Sequence, residues 1–210
     1  MRDLIITGTG VHALEMAEIV ERVNKAGKIW RLLGYIHLEG ESPAAPELNG
    51  YKVLGGPETV SRYPDAHFVP SYSSRIDQVP YDRWATVIDP SVFVSRTAKI
   101  GAGCVIFPNC YIGYNAKIGD FVFCLSGAVI NHDDVIGNNS TITSGVAIAG
   151  EVTIGEGCYI GQKCTVRQLL TIGDGCIIGT GAVVVKDVPS NSVMVGNPAR
   201  LLRYNNDDCI

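Results

Sequence analysis

The strongest constraint on the fold is a period of six residues in the second half of the chain. Every sixth position from Ile88 to Val184 is aliphatic except Cys124, and sixteen of these seventeen positions are Ile or Val. An α-helix repeats about every 3.6 residues and a strand about every 2, so neither matches this period. Each hexad must therefore be a structural unit, and the region is predicted to be a solenoid.

Two further features of the hexad describe its shape. Glycine often follows the aliphatic residue, as in Ile100-Gly101 and Ile154-Gly155, and a small or apolar residue usually stands four places after it. A short β-branched strand followed by a tight turn explains both preferences. The pattern resembles the hexapeptide repeat of the left-handed parallel β-helix, in which three hexads form one triangular coil of about 18 residues.

The period of six begins near residue 88 and is absent from the residues before it. The whole chain has 210 residues, of which 46% are hydrophobic. A chain of this size and composition buries a sizeable core, and the change of pattern indicates two domains. We predict an N-terminal domain over residues 1–84, a β-helix over residues 85–200 and a C-terminal tail over residues 201–210.

Charge and hydropathy limit the partners of the chain. The net charge of −4 gives no electrostatic support to nucleic-acid binding. No apolar run approaches the ~18 residues that cross a bilayer, and the N-terminus lacks the layout of a signal peptide. We expect a soluble, cytoplasmic protein without nucleic-acid or membrane partners.

The seven cysteines are interpreted from their phase in the repeat. Six of them occupy inward positions, where a reduced cysteine behaves as a small hydrophobic residue. These six are Cys104, Cys110, Cys124, Cys158, Cys164 and Cys176. No Cys-x-x-Cys pair occurs, so we expect structural thiols in a reducing compartment and no metal site. Cys209, in the tail, is expected to be free.

The N-terminal domain shows a different pattern, in which strands alternate with helical segments. An apolar strand over residues 4–7 precedes a glycine turn and a helix over residues 11–24. Further strands are predicted at Trp30–Ile36, at residues 52–54 and at His67–Pro70, with a short helix at Pro57–Arg62. This alternation predicts a small parallel α/β domain of Rossmann-like type.

The glycine turn Gly8-Thr9-Gly10 lies between the first strand and the first helix. Such a turn brings backbone N–H groups close to a phosphate at the positive end of the helix dipole. The stretch lacks the third glycine of the dinucleotide fingerprint. From spacing alone, phosphate binding and a tight strand-to-helix connection are equally good interpretations.

His132 is the one histidine of the solenoid, since the other three stand at positions 12, 37 and 67. It follows Ile130 by two places, at a phase where a side chain projects from a corner of the coil. An exposed imidazole exchanges protons near neutral pH, as a general base must. The adjacent Asp133 would fix the tautomer and stabilise the imidazolium. The alternative is a solvated corner histidine with an acidic neighbour.

Three motifs of the sequence resemble those of a known protein family. They are the stretch Gly8-Thr9-Gly10-Val11-His12-Ala13, the segment Asn131-His132-Asp133 and the ending Val195-Gly196-Asn197-Pro198-Ala199-Arg200. Together with the hexapeptide repeat, they resemble the hexapeptide-repeat sugar O- and N-acyltransferases of the NeuD/PglD type. The resemblance covers nearly the whole chain. It implies a homotrimer in which His132 is the base, Asp133 supports it, and acetyl-CoA lies in a groove between two subunits.

The coil period indicates which residues would line the acetyl-CoA groove. Gly150 lies one coil beyond His132 and permits close approach of a thin pantetheine arm. Gln168 and Lys186 follow along the same edge, and Lys163 and Arg167 lie nearby. The basic groups among them either meet CoA phosphates or are solvated surface charges. Thr141 stands where several relatives carry a second histidine near the thioester.

For the acceptor, the resemblance implies a nucleotide sugar bound by the N-terminal domain. Gly8, Gly10 and His12 would lie near its phosphates, and His37 stands where relatives carry an acidic residue after the second strand. Besides Thr141, two further departures from the family pattern lie within the repeat. Leu125 replaces a frequent Asn, and Asp134 occupies the small inward position that other hexads fill with an uncharged residue. A buried carboxylate must be hydrogen-bonded, protonated or turned outward.

The resemblance thus implies a homotrimeric acetyl-CoA-dependent acetyltransferase that acylates an amine or hydroxyl of a nucleotide-activated sugar, with His132 as the base. Two alternatives remain, an O-acetyltransferase for serine or a simple sugar, and a non-catalytic β-helix scaffold or binding module. A γ-type carbonic anhydrase is disfavoured, because its metal site needs three histidines and the solenoid contains only His132.

Overall fold

The chain forms two compact units in a computed structural model that describes residues 1–40, 45–72 and 75–205. The N-terminal unit comprises Met1–Pro90 with Ala102–Val105. The β-helix unit comprises Ser91–Gly101 and the chain from Ile106 onward. Cys209, the cysteine of the tail that is expected to be free, lies outside the described residues.

The N-terminal unit contains a five-stranded sheet and one long helix. Its elements are β1 (Arg2–Thr7), α1 (Val11–Gly27), β2 (Trp30–Ile36), β3 (Glu47–Leu48), β4 (Tyr51–Gly55) and β5 (His67–Pro70), with 3-10 turns at Pro57–Arg62 and Tyr81–Arg83. The strand order is β3-β4-β2-β1-β5. All neighbouring pairs are parallel except β3 and β4.

The prediction of a Rossmann-like N-terminal domain is wrong. Among the described residues of this unit, α1 is the single α-helix, and an antiparallel hairpin forms one edge of the sheet. A doubly wound fold needs helices on both faces of a parallel sheet. The connection between β4 and β5 contains only the six-residue 3-10 turn Pro57–Arg62. A segment of six residues is too short to form an α-helix that covers a face of the sheet.

The antiparallel hairpin of β3 and β4 was missed by the sequence analysis. Its turn is Asn49-Gly50, with φ of 47° and 78° at the two positions. Both values lie in the left-handed region that an Asn-Gly turn adopts between paired strands. This dipeptide is the sequence signal from which the hairpin follows.

The core of the N-terminal unit fixes the position of the glycine turn. Leu4, Ile5 and Ile6 of β1 are fully buried, as expected for an inner strand with both faces covered. Helix α1 buries a stripe of residues on one face, namely Ala13, Met16, Ala17, Ile19 and Val20. Because β1, β2, β4 and β5 run parallel, their carboxyl ends meet at one edge of the sheet. We call this the carboxyl edge.

Seventeen two-residue strands, β6 to β22, then follow at intervals of six residues. They are Val87–Ile88, Phe93–Val94, Lys99–Ile100, Val105–Ile106, Tyr111–Ile112, Lys117–Ile118, Phe123–Cys124, Val129–Ile130, Val135–Ile136, Thr141–Ile142, Ala147–Ile148, Thr153–Ile154, Tyr159–Ile160, Thr165–Val166, Thr171–Ile172, Ile177–Ile178 and Val183–Val184. Successive strands belong in turn to three sheets of stacked parallel strands, in the orders β22-β19-β16-β13-β10-β7, β20-β17-β14-β11-β8 and β21-β18-β15-β12-β9-β6. The third sheet continues beyond β21 with β23 (Ser192–Val195) and β24 (Arg200–Tyr204). The predicted parallel β-helix is therefore confirmed.

The hexad chemistry explains this stacking. The aliphatic second residue of each strand points inward, and Ile112, Ile130 and Ile148 are fully buried. Partners in neighbouring coils are 18 residues apart, as in the pairing of Ile112 with Ile130. Each strand is followed by a turn whose second residue has a positive φ in many coils, for example 57° at Asn115 and 61° at Asp133. Glycine, Asn and Asp tolerate this conformation best, which explains their frequency there.

The six described cysteines are buried inside the coils, as predicted. The last two strands, β23 (Ser192–Val195) and β24 (Arg200–Tyr204), pair antiparallel at the end of the third sheet. Within the described ranges, neither α1 nor any other helix has the length and apolar character of a membrane span.

Candidate active site

His132 lies at an exposed corner of the β-helix. It is the first residue of the turn between β13 and β14, and 57% of its side chain is accessible. The parallel register of β10, β13 and β16 stacks this turn between those that contain Tyr114 and Gly150. We call this stack of turns the His132 corner. The predicted corner position of the imidazole is therefore what the structure shows.

The imidazole of His132 is paired with the carboxylate of Asp133. The distance from His132 Nδ1 to Asp133 Oδ2 is 3.0 Å. An ionised carboxylate only accepts hydrogen bonds, so Nδ1 carries the proton and Nε2 holds the lone pair. Within the described part of the chain, Nε2 makes no hydrogen bond. The ring thus presents a basic nitrogen in the tautomer that Asp133 selects.

Asn115, which the sequence analysis overlooked, holds the other oxygen of Asp133. Its Nδ2 donates to Asp133 Oδ1 over 2.7 Å, from one coil earlier. The hydrogen bonds from Asn115 and then from His132 lower the pKa of Asp133. The signal was present in the sequence, because Asn115 precedes Asp133 by the coil period of 18 residues.

Gly150 lies directly against the face of the His132 ring. A Cβ placed on Gly150 would be 2.5 Å from Cε1 and 2.9 Å from Cδ2 of that ring, and closer still to Nε2. The three nearest atoms to such a Cβ all belong to the imidazole. Because glycine has no Cβ, residue 150 leaves room for the imidazole of His132. Its closeness to His132 was predicted, but the contact with the imidazole was not.

Asp134 is fully buried beneath the same turn. Its Oδ2 accepts from the backbone N of Asn131 and its Oδ1 from the backbone N of Val152, each over 2.8 Å. Burial raises the pKa of Asp134 to about 6, against the opposing effect of these two N–H donors. The Asp134 carboxyl is thus hydrogen-bonded inside the coil. This is one of the three states expected for a carboxyl at an inward position of the repeat.

The residues predicted to bind acetyl-CoA are spread over several positions. Gln168 and Lys186 are exposed and lie in the His132 corner, one and two coils beyond Gly150. Arg167 precedes Gln168 directly and is also exposed. Lys163 belongs to the turn between β18 and β19, at a different corner, where its φ is 55°.

Thr141 is separate from the His132 corner within one chain. It lies in β15 of the eight-stranded sheet, paired with Phe123 and Tyr159, and is half-buried. Leu125, the other departure in this region, follows β12 and donates its backbone N–H to Ile142 O over 2.8 Å. The structure does not bring Thr141 together with His132 in the same corner.

The four predicted acceptor residues lie along the carboxyl edge of the N-terminal unit. Gly8 ends β1 with φ of 93° and donates to Ile36 O over 2.8 Å. Gly10 caps α1 without a side-chain hydrogen bond. His12 lies in the first turn of α1, with Nδ1 3.0 Å from Glu15 Oε2. His37 follows β2, and its Nδ1 is 2.9 Å from Leu38 O.

A fifth position on this edge was not predicted. Gly56 follows β4, and a Cβ there would be 3.0 Å from Cε1 of His37. Its backbone N donates to Glu58 Oε1 over 3.0 Å. Backbone N–H donors are the largest cause that lowers the pKa of Glu58, and His37 contributes less. The edge therefore combines glycine turns, two imidazoles and a carboxylate.

Comparison with sequence families matches residues 88–202 to the family described as the GMPPB C-terminal domain. This segment contains nearly all of the hexapeptide repeat and more than half of the 210 residues. No curated protein matches the chain.

Comparison with solved structures gives matches over almost the whole chain. The acetyltransferase domain of PglB from Neisseria gonorrhoeae is 25% identical, with a TM-score of 0.83, and the match covers 96% of this chain and 100% of that one. PerB from Caulobacter crescentus, solved with CoA and GDP-perosamine, is 24% identical, with a TM-score of 0.82 and coverage of 96% and 97%. WeeI from Acinetobacter baumannii is 21% identical, with a TM-score of 0.66 and coverage of 96% and 100%.

The structural neighbours include acetyltransferases. The PglB domain has also been solved with acetyl coenzyme A, and that structure matches at 25% identity with a TM-score of 0.80. The likeness to PerB and WeeI, below 25% identity, is one of fold.

Proposed function

The chain belongs to the GMPPB C-terminal domain family, and the geometry of its His132 corner leads us to propose that it is an acyl-CoA-dependent transferase. We propose acetyl-CoA as the donor and an amino or hydroxyl group of a nucleotide-activated sugar as the acceptor. The neighbouring PglB acetyltransferase domain, solved with acetyl coenzyme A, supports the donor. We also propose that the chain is an acyltransferase of the NeuD/PglD type.

The observation that carries the proposal is the hydrogen-bonded pair of His132 and Asp133. An exposed imidazole whose Nδ1 is fixed 3.0 Å from a carboxylate has the arrangement of a general base with its orienting group. Asp133 is ionised under ordinary conditions, because its pKa is lowered. Its negative charge stabilises the imidazolium that forms when Nε2 accepts a proton.

The reaction then follows from these two residues. The acceptor nitrogen or oxygen attacks the thioester carbonyl carbon while Nε2 of His132 takes its proton. The tetrahedral intermediate collapses, the carbon–sulfur bond breaks, and the imidazolium returns its proton to the CoA sulfur. The products are an acetyl amide or ester and free CoA. His132 ends the cycle in the tautomer in which it began.

For the donor, we propose an extended path along the His132 corner. Gly150, Gln168 and Lys186 lie in one column beyond the imidazole, so a pantetheine arm laid along them would bring its thioester to Nε2. Exposed Arg167 beside this column would pair with CoA phosphates. Lys163 and Thr141 lie elsewhere on the coil. They would take part only in a groove completed by a second subunit, as in the proposed homotrimer.

For the acceptor, we propose that the carboxyl edge of the N-terminal unit binds the nucleotide part. Helix α1 has no acidic residue in its first turn, and its cap, Gly10, has open space where a Cβ would stand. Uncapped N–H groups at a 17-residue helix favour an anion such as a diphosphate. Gly8 and His12 flank this point, and His37 would contact the polar groups of the nucleoside.

The assembly and the compartment complete the proposal. We propose a homotrimer, which size-exclusion chromatography with light scattering would test directly. We also propose the cytoplasm, where the thiols of the six buried cysteines would stay reduced.

The experiment is a transfer assay with purified protein, acetyl-CoA and a panel of nucleotide amino sugars linked to UDP, GDP or dTDP. Serine and a simple sugar complete the panel. Release of the CoA thiol gives the rate, and mass spectrometry detects the gain of one acetyl group. Mild alkali, which cleaves esters and spares amides, separates O- from N-transfer. Reactions without acceptor correct for hydrolysis and for the protein's own thiols.

We expect acceptor-dependent thiol release with one nucleotide sugar and none with serine. Transfer to serine or the simple sugar alone would replace this proposal with the small-molecule O-acetyltransferase. Absence of transfer to every acceptor, from a folded protein, would contradict the proposed function and favour a non-catalytic β-helix.

A further inference from the structure

We propose that Asn115 is a positioning residue for the general base. Its side-chain amide holds Asp133 in the orientation that keeps the proton of His132 on Nδ1 and leaves Nε2 for the acceptor. This inference rests on the proposed acyl transfer, because a fixed tautomer matters only if Nε2 takes a proton.

Both oxygens of Asp133 have a defined partner. Asn115 Nδ2 donates to Oδ1 over 2.7 Å, and His132 Nδ1 lies 3.0 Å from Oδ2. Rotation of the carboxylate about its last bond would break at least one of these hydrogen bonds. The 41% exposure of the Asp133 side chain means that water competes for the carboxylate. A second donor from the protein is therefore what keeps Oδ2 directed at the imidazole.

Asn115 is itself held in place by the preceding coil. Its backbone N donates to Thr97 Oγ1 over 2.8 Å, and Ser95 Oγ lies 3.1 Å from the same oxygen. Its φ of 57° is one that Asn tolerates better than most residues. A hydrogen-bonded series thus runs from Thr97 through Asn115 and Asp133 to His132. Such outer partners set the orientation of the group that reacts.

The donor character of Asn115 also has an electrostatic effect. A hydrogen bond to the charged form of a carboxyl favours that form. The Asn115 amide is the largest cause of the lowered pKa of Asp133. An ionised Asp133 is the form that stabilises an imidazolium at His132. The amide therefore supports both the geometry and the charge of the base.

A second corner of the β-helix supplies a matched control. Its turns contain Asp120, Asn138, Glu156 and Asp174, and we call it the Asn138 corner. There, Asn138 Nδ2 donates to Glu156 Oε1 over 3.0 Å, again across 18 residues. No histidine is present in these turns. The scaffold cost of losing an Asn-to-carboxylate bond can thus be measured without touching the proposed base.

Two substitutions separate a donor role from a role in turn shape. Asn115→Gly removes the amide, and glycine accepts the positive φ without strain. Asn115→Asp keeps the size, the tolerance for positive φ and the backbone bond to Thr97, but replaces the donor with a second carboxylate. Two adjacent carboxylates repel, and one of them is driven to protonate. If only turn shape mattered, Asn115→Asp would behave like the unmodified chain.

The kinetic test uses the acceptor identified in the transfer assay. We expect Asn115→Gly to lower kcat by about tenfold with little change in KM, as for other outer-shell partners. Asn115→Asp should lower kcat further near neutral pH and recover part of the loss at lower pH, where the two carboxylates share a proton. Asn139→Gly, at a φ of 57° in the Asn138 corner, is the backbone control and should leave kcat unchanged.

Nitrogen-15 NMR of histidine-labelled protein supplies a readout that needs no turnover. His132→Gln assigns the signal of His132 among the four histidines. We expect the neutral Nδ1–H tautomer in the unmodified chain and in Asn139→Gly, and a mixture of tautomers in both Asn115 variants. An unmodified chain without transfer activity would contradict the proposed function, while the tautomer spectra would still decide the role of Asn115. Unchanged kcat or an unchanged Nδ1–H tautomer in both Asn115 variants would overturn the inference.

Discussion

The His132 corner and the Asn138 corner are built from the same hydrogen bonds. In each, an asparagine donates to a carboxylate one coil further on, over 2.7 Å from Asn115 to Asp133 and over 3.0 Å from Asn138 to Glu156. Such bonds recur because the coil period brings residues 18 apart together at every turn. A hydrogen bond from an asparagine to a carboxylate one coil further on therefore does not by itself identify an active site.

The corners also share a buried acceptor after the turn. Asp134 Oδ1 accepts from the backbone N of Val152 over 2.8 Å, and Ser140 Oγ accepts from the backbone N of Cys158 over 3.0 Å. Most other hexads fill this inward position with a small or apolar residue, and in the Asn138 corner a neutral hydroxyl occupies it. The His132 corner uses a carboxyl instead, in addition to its exposed imidazole.

The difference between the corners is thus the kind of ionisable group and its setting. The His132 corner pairs an exposed imidazole with a carboxylate and buries a second carboxyl, that of Asp134. The turns of the Asn138 corner carry the carboxylates of Asp120, Glu156 and Asp174, none of them buried, and no histidine. An imidazole held by a carboxylate is what a proton-transfer site requires and what a structural corner does not. The following predictions test the distinction, starting from the largest expected effect.

Asp134 should make stability depend on pH. Its pKa is about 6 when folded and near 3.8 when exposed, so the folded state holds the proton more tightly. Stability from this group is full below the lower value and is lost as pH rises through the higher one. Relative to Asp134→Asn, the unmodified chain should lose about 2 kcal/mol of unfolding free energy between about pH 4 and pH 7.

Urea unfolding at a fixed protein concentration over this pH range measures the difference. Ser140→Ala, at the equivalent position of the Asn138 corner, should differ from the unmodified chain by an amount that is independent of pH. A pH-independent difference for Asp134→Asn would show that the two corners do not differ in this respect.

Asp133→Asn tests whether the carboxylate does more than shape the turn. Asparagine suits the positive φ, so the fold should persist, but the charge that selects the tautomer is lost. We expect kcat to fall roughly 100-fold, less than for the buried aspartate of a serine-protease triad because Asp133 is exposed. The matched change Glu156→Gln should have no effect on kcat. Equal kcat values for the two variants in the CoA-release assay would remove the functional distinction between the corners.

Gly150→Ala tests the contact under the imidazole. The added Cβ would collide with the His132 ring and displace it, which we expect to lower kcat by about tenfold. The melting temperature should also fall. In a His132→Ala background, the same change should leave the melting temperature almost unaffected, because the three nearest atoms all belong to the ring. A similar fall in both backgrounds would mean that Gly150 serves the coil rather than the imidazole.

Asn138→Ala should have the smallest effect on turnover, because its effect is confined to stability. It removes two hydrogen bonds, from Asn138 Nδ2 to Glu156 Oε1 and from the backbone N of Asp120 to Asn138 Oδ1, each worth about 1 kcal/mol at most sites. Turnover should be unchanged, since the substitution leaves the His132 corner intact. Chemical denaturation and the transfer assay measure the two quantities on the same preparation. A large loss of turnover would mean that the two corners are coupled.

The β-helix and the position of the proposed base were predictable because the repeat is strict. A period of six fixes which residues point inward, and the coil of 18 places Gly150 beside His132. The same step of 18 residues, taken from Asp133 toward the N-terminus, leads to Asn115. Hydrogen bonds of side chains were harder to predict from the sequence. Whether the buried Asp134 is ionised depends on two backbone donors whose positions come only from the folded coil.

The N-terminal unit was predictable in its elements and not in its fold class. The strand spans Trp30–Ile36 and His67–Pro70 agree with the prediction. The type of domain depends on whether each connection is long enough to form a helix, and Pro57–Arg62 is too short. Alternation of strands and helices therefore predicted the parallel core but not the antiparallel edge.

Replacement of the imidazole is the most direct test of the central claim that His132 takes the proton of the acceptor. His132→Ala should lower kcat at least ~100-fold in the CoA-release assay, with an unchanged oligomeric state and melting temperature. A folded His132→Ala protein that transfers acetyl groups at nearly the normal rate would contradict the account.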